Sequence, residues 1–577
     1  MSRITSQLFR IIFVVIGILA VTASAQIPNS DPEDPGSDPQ PPRCIADADT
    51  QITANPKEIA PGQSSVVSWS VSLPPGCASV RVRLNNQDVP RNGSRTVQPV
   101  QWTKYFLTIS QTQGGIFAQR TTQTQITVKY PERILIDSST PNPIQVLTGA
   151  LQSGHVRIEL CVDLDLTGKS FTIGNDTSLV AADGCARGPL RPGPRVFITD
   201  HRTMSKPLFS IRGDRVRISG FRLEGPSPEA IYQSDDRLER AIQIAPYAGE
   251  DRPGPDGNVV CVADPIQNLE VSNMEIFHWS GAAIDVRDNK ECAERGRLFN
   301  TNVGAVHIFD NFIHNNRHGD GNGYGVEVAS GAYALIERNV FDLNRHAIAG
   351  GSREGNDFSG YTLRENLILE GGGRHCSDRW YFPFCWQTHQ VDMHGDKDAR
   401  FLGSHCCGTA GETMIIERNT ILYDNGTAIK IRGNPTDKAV ADRNIFQRKN
   451  DDKVIVQNGE PGVTNNITNP IIKINNVFGA KPMNQLGTCD FDKDGKADRF
   501  MATGVTWWAQ SGETGQWRYL NTMPEVLSKV QLGDFDNDGK CDVGYGPPNP
   551  AIPPSKYSKN GTGPWVPLIA PPVSGQQ

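Results

Sequence analysis

The sequence is poor in charge. Asp, Glu, Lys and Arg make up 21% of its 577 residues, and 57 basic against 63 acidic side chains leave a formal net charge of −6 at pH 7. It has no long basic run, so nothing points to nucleic acid or to an anionic membrane surface as partner. No CxxC pair occurs, which argues against a structural zinc site. Beyond the first 25 residues no apolar stretch approaches the roughly 20 residues of a membrane span. Leucine-rich and Trp-Asp repeats are absent, which sets aside those solenoids and propellers. Low charge together with 56 Gly and 40 Pro disfavours helical bundles and coiled coils and favours a turn-rich β protein.

What is present begins with an export signal. Arg3 and Arg10, the apolar run Ile11 to Val21, and Ala23-Ser24-Ala25 ahead of Gln26 have the three regions of a signal peptide over residues 1–25. A secreted or cell-surface product without a stable span after cleavage is expected, acting as a monomer. Its twelve cysteines should then be oxidised. They fall into neighbouring sets: Cys44 and Cys77; Cys161 and Cys185; Cys261 and Cys292; Cys376, Cys385, Cys406 and Cys407; Cys489 and Cys541. Spacing leaves the pairing open.

Residues 26–43, rich in Pro and Asp, read as an extended tether. Over residues 44–131, alternating segments such as Ser65 to Val71 and Ser79 to Leu84 between Pro-Gly and Asn-Gly turns predict a small β-sandwich. The segment around Trp69 and the later TKYFLTIS resemble bacterial immunoglobulin-like modules, which implies a spacer. Residues 132–478 hold a repeat in which short strands follow Asn273, Asn311, Asn339, Asn366, Asn419 and Asn444, at intervals of 38, 28, 27, 53 and 25 residues. A period near 26 is one coil of a right-handed parallel β-helix with a ladder of stacked asparagines. This pattern resembles the pectate-lyase-like superfamily. The fold class expected is therefore all-β: a right-handed parallel β-helix behind an N-terminal β-sandwich and ahead of C-terminal β repeats.

Those repeats occupy residues 479–547, before a Pro/Gly-rich tail at 548–577. Asp490, Asp492, Asp494 and Asp498 surround Gly495, and Asp534, Asp536, Asp538 and Asp542 surround Gly539, a spacing that suits a structural calcium ion in each loop. The loops lack the position-12 Glu of an EF-hand. With the strands between them they resemble FG-GAP or VCBS-type repeats.

Candidate chemistry lies on one sheet of the helix. Aligning the coils on inward Ile284, Val326, Ile348, Val391 and Ile429 predicts an outward column Asp285, Glu327, Ala349, Asp392, Lys430 and a second, Arg287, Ala329, Gly351, His394, Arg432. The preceding positions, Ala283, Gly325, Ala347, Gln390 and Ala428, are mostly small and are expected outward, leaving room for a sugar ring. Eight of the eleven histidines lie between His307 and His405. Among these His346 and His389 precede their strands at the position of Tyr324, with their orientation open. A long insertion, Arg374 to Trp386, offers five aromatic side chains that a Cys376 to Cys385 bridge would stiffen.

His389-Gln390-Val391-Asp392-Met393-His394 resembles the Asp-Pro-His core of β-helix mannuronan C5-epimerases, with Met393 in place of Pro. The resemblance implies acidic and histidine roles for Asp392 and His394. The expected function is action on a polysaccharide, foremost as a uronate lyase or epimerase: Arg432 or Lys430 would bind the carboxylate, His394 or His389 act as base, Tyr324 or His346 as acid, and Asp392 orient an imidazole. An inverting glycoside hydrolase is the alternative. Glu327 and Asp392 sit two coils, about 9.6 Å, apart, and Asp285 sits one coil from Glu327. A non-catalytic adhesin comes third. Last is a metal-dependent hydrolase on His389, Asp392 and His394, disfavoured because 389 and 392 have opposite strand parity.

Overall fold

The computed structural model describes residues 43–568 except 47, 60–62, 76, 78–79, 86, 100–102, 114–115, 129–131, 189, 201–205, 227–238, 246–249, 254–258, 263–265, 288–305, 319–321, 352–358, 378–383, 400–402, 450–451, 460–465 and 482–485. The signal and tether segments and Cys292 lie outside them. Side chains of the Arg374 to Trp386 insertion, and that of Cys261, are also outside the description.

Alternating apolar residues at 49–128 build two facing sheets of three and five strands, antiparallel except where the edge strand Glu58–Ile59 runs parallel to Ile116–Val128. Their inner positions, Val67, Leu107, Ile109 and Ile126, are fully excluded from solvent. Trp69 closes one edge by donating its indole N–H to Pro90 O at 2.9 Å.

From Arg133 to Phe478 the chain winds as a right-handed parallel β-helix whose coils contribute to parallel sheets of eleven, ten and nine strands. A continuous apolar column fills it, because each coil turns one face of each short strand inward. At the N-terminal end, helix Pro143–Ser153 lays Leu147, Ala150 and Leu151 on that column, closing the open end of the stack.

The asparagine ladder is present. Oδ1 of Asn339, Asn366, Asn419, Asn444 and Asn476 each accepts the backbone N–H of the ladder residue one coil earlier, at 2.9–3.0 Å. Asn273 is not part of it. Asn273 takes the left-handed turn position with φ +50°, shared by Asp310 and Arg338, and it is Met274 N–H that bonds Asn311 Oδ1. The alignment of that coil therefore shifts by one residue. A second ladder, Asn316 on Asn344, runs at the next turn. Asn339→Ala would strip Asn311 N–H and Ile308 O of their partners. At about 1–3 kcal/mol for each orphaned buried group, a loss of about 2–6 kcal/mol in urea unfolding is expected.

Two four-stranded antiparallel sheets follow, Leu486–Asn521 and Val530–Pro567. The second includes Lys556–Ser558 and Trp565–Pro567, so strands continue well into the stretch expected to be a tail. Both sheets share a core that contains Phe491, Trp507, Val530 and Val543. The first docks on the outside of the ten-stranded sheet. There Trp508, Trp517 and Met501 pack with Val340, Leu367 and Leu422, and Gln516 Nε2 donates to Glu275 Oε2 at 2.7 Å.

Among the described residues the disulfides are Cys44–Cys77, Cys161–Cys185, Cys406–Cys407 and Cys489–Cys541. In the insertion, Cys376 stands opposite Cys385 in an antiparallel ladder. Such oxidation fits an extracytoplasmic protein, and among the described residues no helix is long and apolar enough to cross a membrane.

Candidate active site

The nine-stranded sheet carries the candidate residues. Its register is Ile284, Val326, Ile348, Val391, Ile429, with Asp285 beside Glu327, Glu327 beside Ala349, and Asp392 beside Lys430. Gly351 bridges to His394. Both outward columns therefore stand as the alternation of strands dictates.

The expected strip of small residues does not face outward. Ala283, Ala347 and Ala428 belong to the helix core, and a Cβ on Gly325 would lie 2.9 Å from the Phe341 ring. The ladder is irregular here: Ala428 N and Ile429 N both bond Val454 O, as at a β-bulge. Two successive residues consequently point inward, and the one before them points out. This turns Tyr324, His346 and His389 to the outer face as a third column. Tyr324 and His346 stack with centroids 5.7 Å apart, and His346 and His389 stack at 4.2 Å. The parity objection to placing His389 beside Asp392 thereby falls.

Asp392 is the centre of the site and has no solvent exposure. Its Oδ2 lies 2.8 Å from His389 Nε2, 2.7 Å from His394 Nε2 and 2.8 Å from Arg432 Nη2, and its Oδ1 accepts Arg432 Nε–H at 3.0 Å. Burial alone would favour the neutral acid, but His389, Arg432 and His394 hold its carboxyl well below the usual range. His394 is depressed chiefly by burial, with Asp392 opposing, so it is neutral and basic at pH 7. Its Nε2 stands 2.7 Å from Asp392 Oδ2 but out of hydrogen-bond alignment with it; the carboxylate charge favours the tautomer with the proton on Nε2, which leaves the lone pair on Nδ1. Its side chain is 22% exposed. Lys430, opposite Asp392 on the next strand, is depressed by burial and by the charge of Arg432, with Asp392 opposing.

His346 is fully buried, and its Nδ1–H donates to His389 O. Its Nε2 is 3.9 Å from Asp392 Oδ2 and has no hydrogen-bond partner among the described residues. Arg345, which the sequence reading did not single out, donates from Nη1 to Tyr324 Oη at 3.2 Å. Burial raises the phenol.

Asp285 and Glu327 form a separate cluster, three and two coils away from Asp392 respectively. Asp285 is fully buried between Arg240 at 2.8 Å, Arg287 at 2.7 Å and Gln243 at 3.0 Å. Glu327 contacts Arg287 at 3.0 Å, and burial, then the nearby Asp285 charge, raise its pKa. Arg240 and Gln243 were missed because their coil carries no histidine and precedes the aligned strands.

His346, His389 and Asp392 have donor atoms within 4.8 Å of one another. The Arg432 guanidinium, 2.9 Å from His389 Nε2 and 2.8 Å from Asp392, already supplies positive charge where they converge. A divalent ion there would meet that cation, so the set does not fit a metal.

Burial, with the charge of Arg432 adding to it and Asp392 opposing, pushes His389 down to about 4. The unfolded chain takes up this proton near pH 6.5, whereas the folded chain does so only near pH 4. Stability is therefore full above pH 6.5 and declines as pH falls towards 4, by about 3 kcal/mol for this residue. Urea midpoints at pH 7.5 and 4.5 should show the decline, and His389→Asn should flatten it.

No family model matches the chain, and no curated protein matches it. Among solved structures, the catalytic unit of a thermostable GH87 alpha-1,3-glucanase from Streptomyces thermodiastaticus strain HF3-3 is similar at 12% identity and a TM-score of 0.26, over 71% of this chain and 88% of that one.

Proposed function

We propose that the protein acts on a uronate-containing polysaccharide by removing the C5 proton of the sugar, as a lyase or epimerase. The observation that carries this reading is His394: a neutral, partly exposed imidazole held by a buried, ionised Asp392, beside the ammonium of Lys430 and the guanidinium of Arg432. A base and paired cations on one open face are what abstraction next to a carboxylate requires. The cations lower the cost of the developing enolate, and the imidazole takes the proton. Incubating the chain with a panel of acidic and neutral polysaccharides tests it. Ultraviolet absorbance of unsaturated uronates marks a lyase, and C5 exchange in deuterated water without new ends marks an epimerase.

An inverting hydrolase is the second reading, favoured by Glu327, a partly exposed carboxyl whose pKa is raised by burial and by the charge of Asp285. Its partner is harder to supply, since Asp392 and Asp285 are both fully buried and their oxygens are taken by cations and hydrogen-bond donors. Reducing ends without ultraviolet gain would select this reading.

We also propose structural calcium in the C-terminal loops. Carboxylates of Asp490, Asp492 and Asp498 converge within 4.8 Å, as do those of Asp534, Asp536 and Asp542. In the first loop Asp492 Oδ2 and Asp494 Oδ2 are buried without a hydrogen-bond partner among the described residues, and burial, Asp498 and Asp494 push Asp492 up to about 6. That donor set fits a hard cation. In the second, Lys559 Nζ sits 2.6 Å from Asp536 and 3.0 Å from Asp538. Asp494 and Asp538 fall outside the converging sets, each accepting a backbone N–H within its loop. Calcium at 100-fold over its Kd is expected to add about 2.7 kcal/mol of stability. That gain is per occupied loop; chelator should remove it, and Asp492→Asn should abolish the share of the first loop.

A further inference from the structure

Elimination at a uronate needs a proton donor for the departing glycosidic oxygen, and the residues expected to supply it are enclosed. His346 is fully buried with its Nδ1–H committed to a carbonyl, and Tyr324 is 8% exposed. A different histidine stands in the open next to the base. His405 is solvent-exposed, and its ring lies parallel to that of His394, with centroids 5.9 Å apart and 24° between planes.

Its placement is built. His405 lies in a hairpin, Lys397–Ala399 with Gly403–Cys407, that leaves the coil directly after His394. Its N–H donates to Asp398 Oδ1 at 2.7 Å, and its C=O accepts Gly395 N–H at 3.2 Å. Gly395 permits the hairpin to fold back this closely: a Cβ there would lie 1.9 Å from Cys407 O and 2.2 Å from Arg432 O. The next two residues, Cys406 and Cys407, are buried and disulfide-linked to each other. His405 itself has a φ of +50°, a left-handed conformation that an L-residue with a side chain keeps only when its surroundings impose it.

From this geometry we infer that His405 is the catalytic acid of the uronate elimination, an inference that rests on the proposed lyase reading. His394 Nδ1 takes the C5 proton, and the C5–H electron pair becomes the C4–C5 double bond. The C4–O bond breaks, and its oxygen takes the proton of the His405 imidazolium, becoming the hydroxyl of a new reducing end. Two imidazoles side by side on one face serve adjacent sugar carbons together, as syn elimination demands.

The test separates the two proton transfers. Wild type, His405→Ala and His405→Gln are incubated with the most active polyuronate in deuterated water, following unsaturated ends by absorbance and C5 deuteration by NMR. Thermal unfolding of each variant confirms that it is folded. The expected result is elimination reduced on the order of 10²-fold, with C5 exchange within about threefold of wild type. Elimination within about threefold of wild type would overturn the inference, as would equal loss of both signals, which would mark a merely structural residue. Wild type that exchanges C5 without cleaving would also overturn it. Wild type inert on every polyuronate would instead sink the lyase and epimerase reading itself.

Discussion

Replacing His394 with alanine is expected to lower kcat on a polyuronate by on the order of 10²- to 10⁴-fold while changing KM little. The expectation follows from position. His394 is the histidine that both touches the buried Asp392 carboxylate, at 2.7 Å, and keeps a quarter of its side chain or nearly so in solvent. Asp392 fixes the tautomer and stabilises the imidazolium formed during abstraction, so Asp392→Asn should cost activity through the same step. Steady-state kinetics on the two variants, with unfolding curves to show that the sheet is intact, check this. His389→Ala, by contrast, should act mainly through the shape and charge of the Asp392 pocket, since its ring is packed under His346.

Arg432→Ala should have the largest effect on folding. Arg432 makes two hydrogen bonds to Asp392, at 3.0 and 2.8 Å, on a carboxylate with no exposure to water. Removing one partner of such a pair leaves an uncompensated buried charge, at a cost of about 3–5 kcal/mol. Lys at this position keeps the charge but not the planar two-donor fork, so Arg432→Lys should recover only part of the loss. The double variant Asp392→Asn with Arg432→Ala should be more stable than Arg432→Ala alone, because no naked carboxylate remains. Urea unfolding of wild type, Asp392→Asn, Arg432→Ala and the double variant measures this coupling directly. Activity should fall in every variant, since Arg432 also supplies positive charge to the open face.

The helix was legible because its coils repeat a physical constraint. A buried asparagine satisfies backbone groups of its own and the preceding coil, so Asn must recur once per coil, and Asn339, Asn366, Asn419 and Asn444 fall in step. In the coil where Met274 stands in the ladder, the neighbouring Asn273 was a false register mark. The outward columns through Asp392 and His394 followed from simple alternation. What alternation cannot show is a bulge. Two consecutive inward residues at each strand start sent the small-residue strip into the core and brought Tyr324, His346 and His389 outward. His405 was visible only as one member of a histidine cluster. Its approach to His394 depends on Gly395 and on a hairpin fold-back, a long-range contact with no periodic signature. Arg345 and Arg240 escaped notice for a similar reason: their roles come from partners on adjacent coils, 21 and 45 residues away. The C-terminal acidic loops were readable from spacing alone, whereas Lys559, pairing with Asp536 from 23 residues downstream, was not.

The most direct measurement is hydrogen exchange at C5 of an acidic polysaccharide in deuterated water, comparing wild type with His394→Ala. The account predicts deuterium at C5 of the uronate, with or without unsaturated ends, in wild type and a loss on the order of 10²-fold in the variant. Cleavage of the polysaccharide with full retention of the C5 proton, or exchange undiminished in His394→Ala, would contradict it.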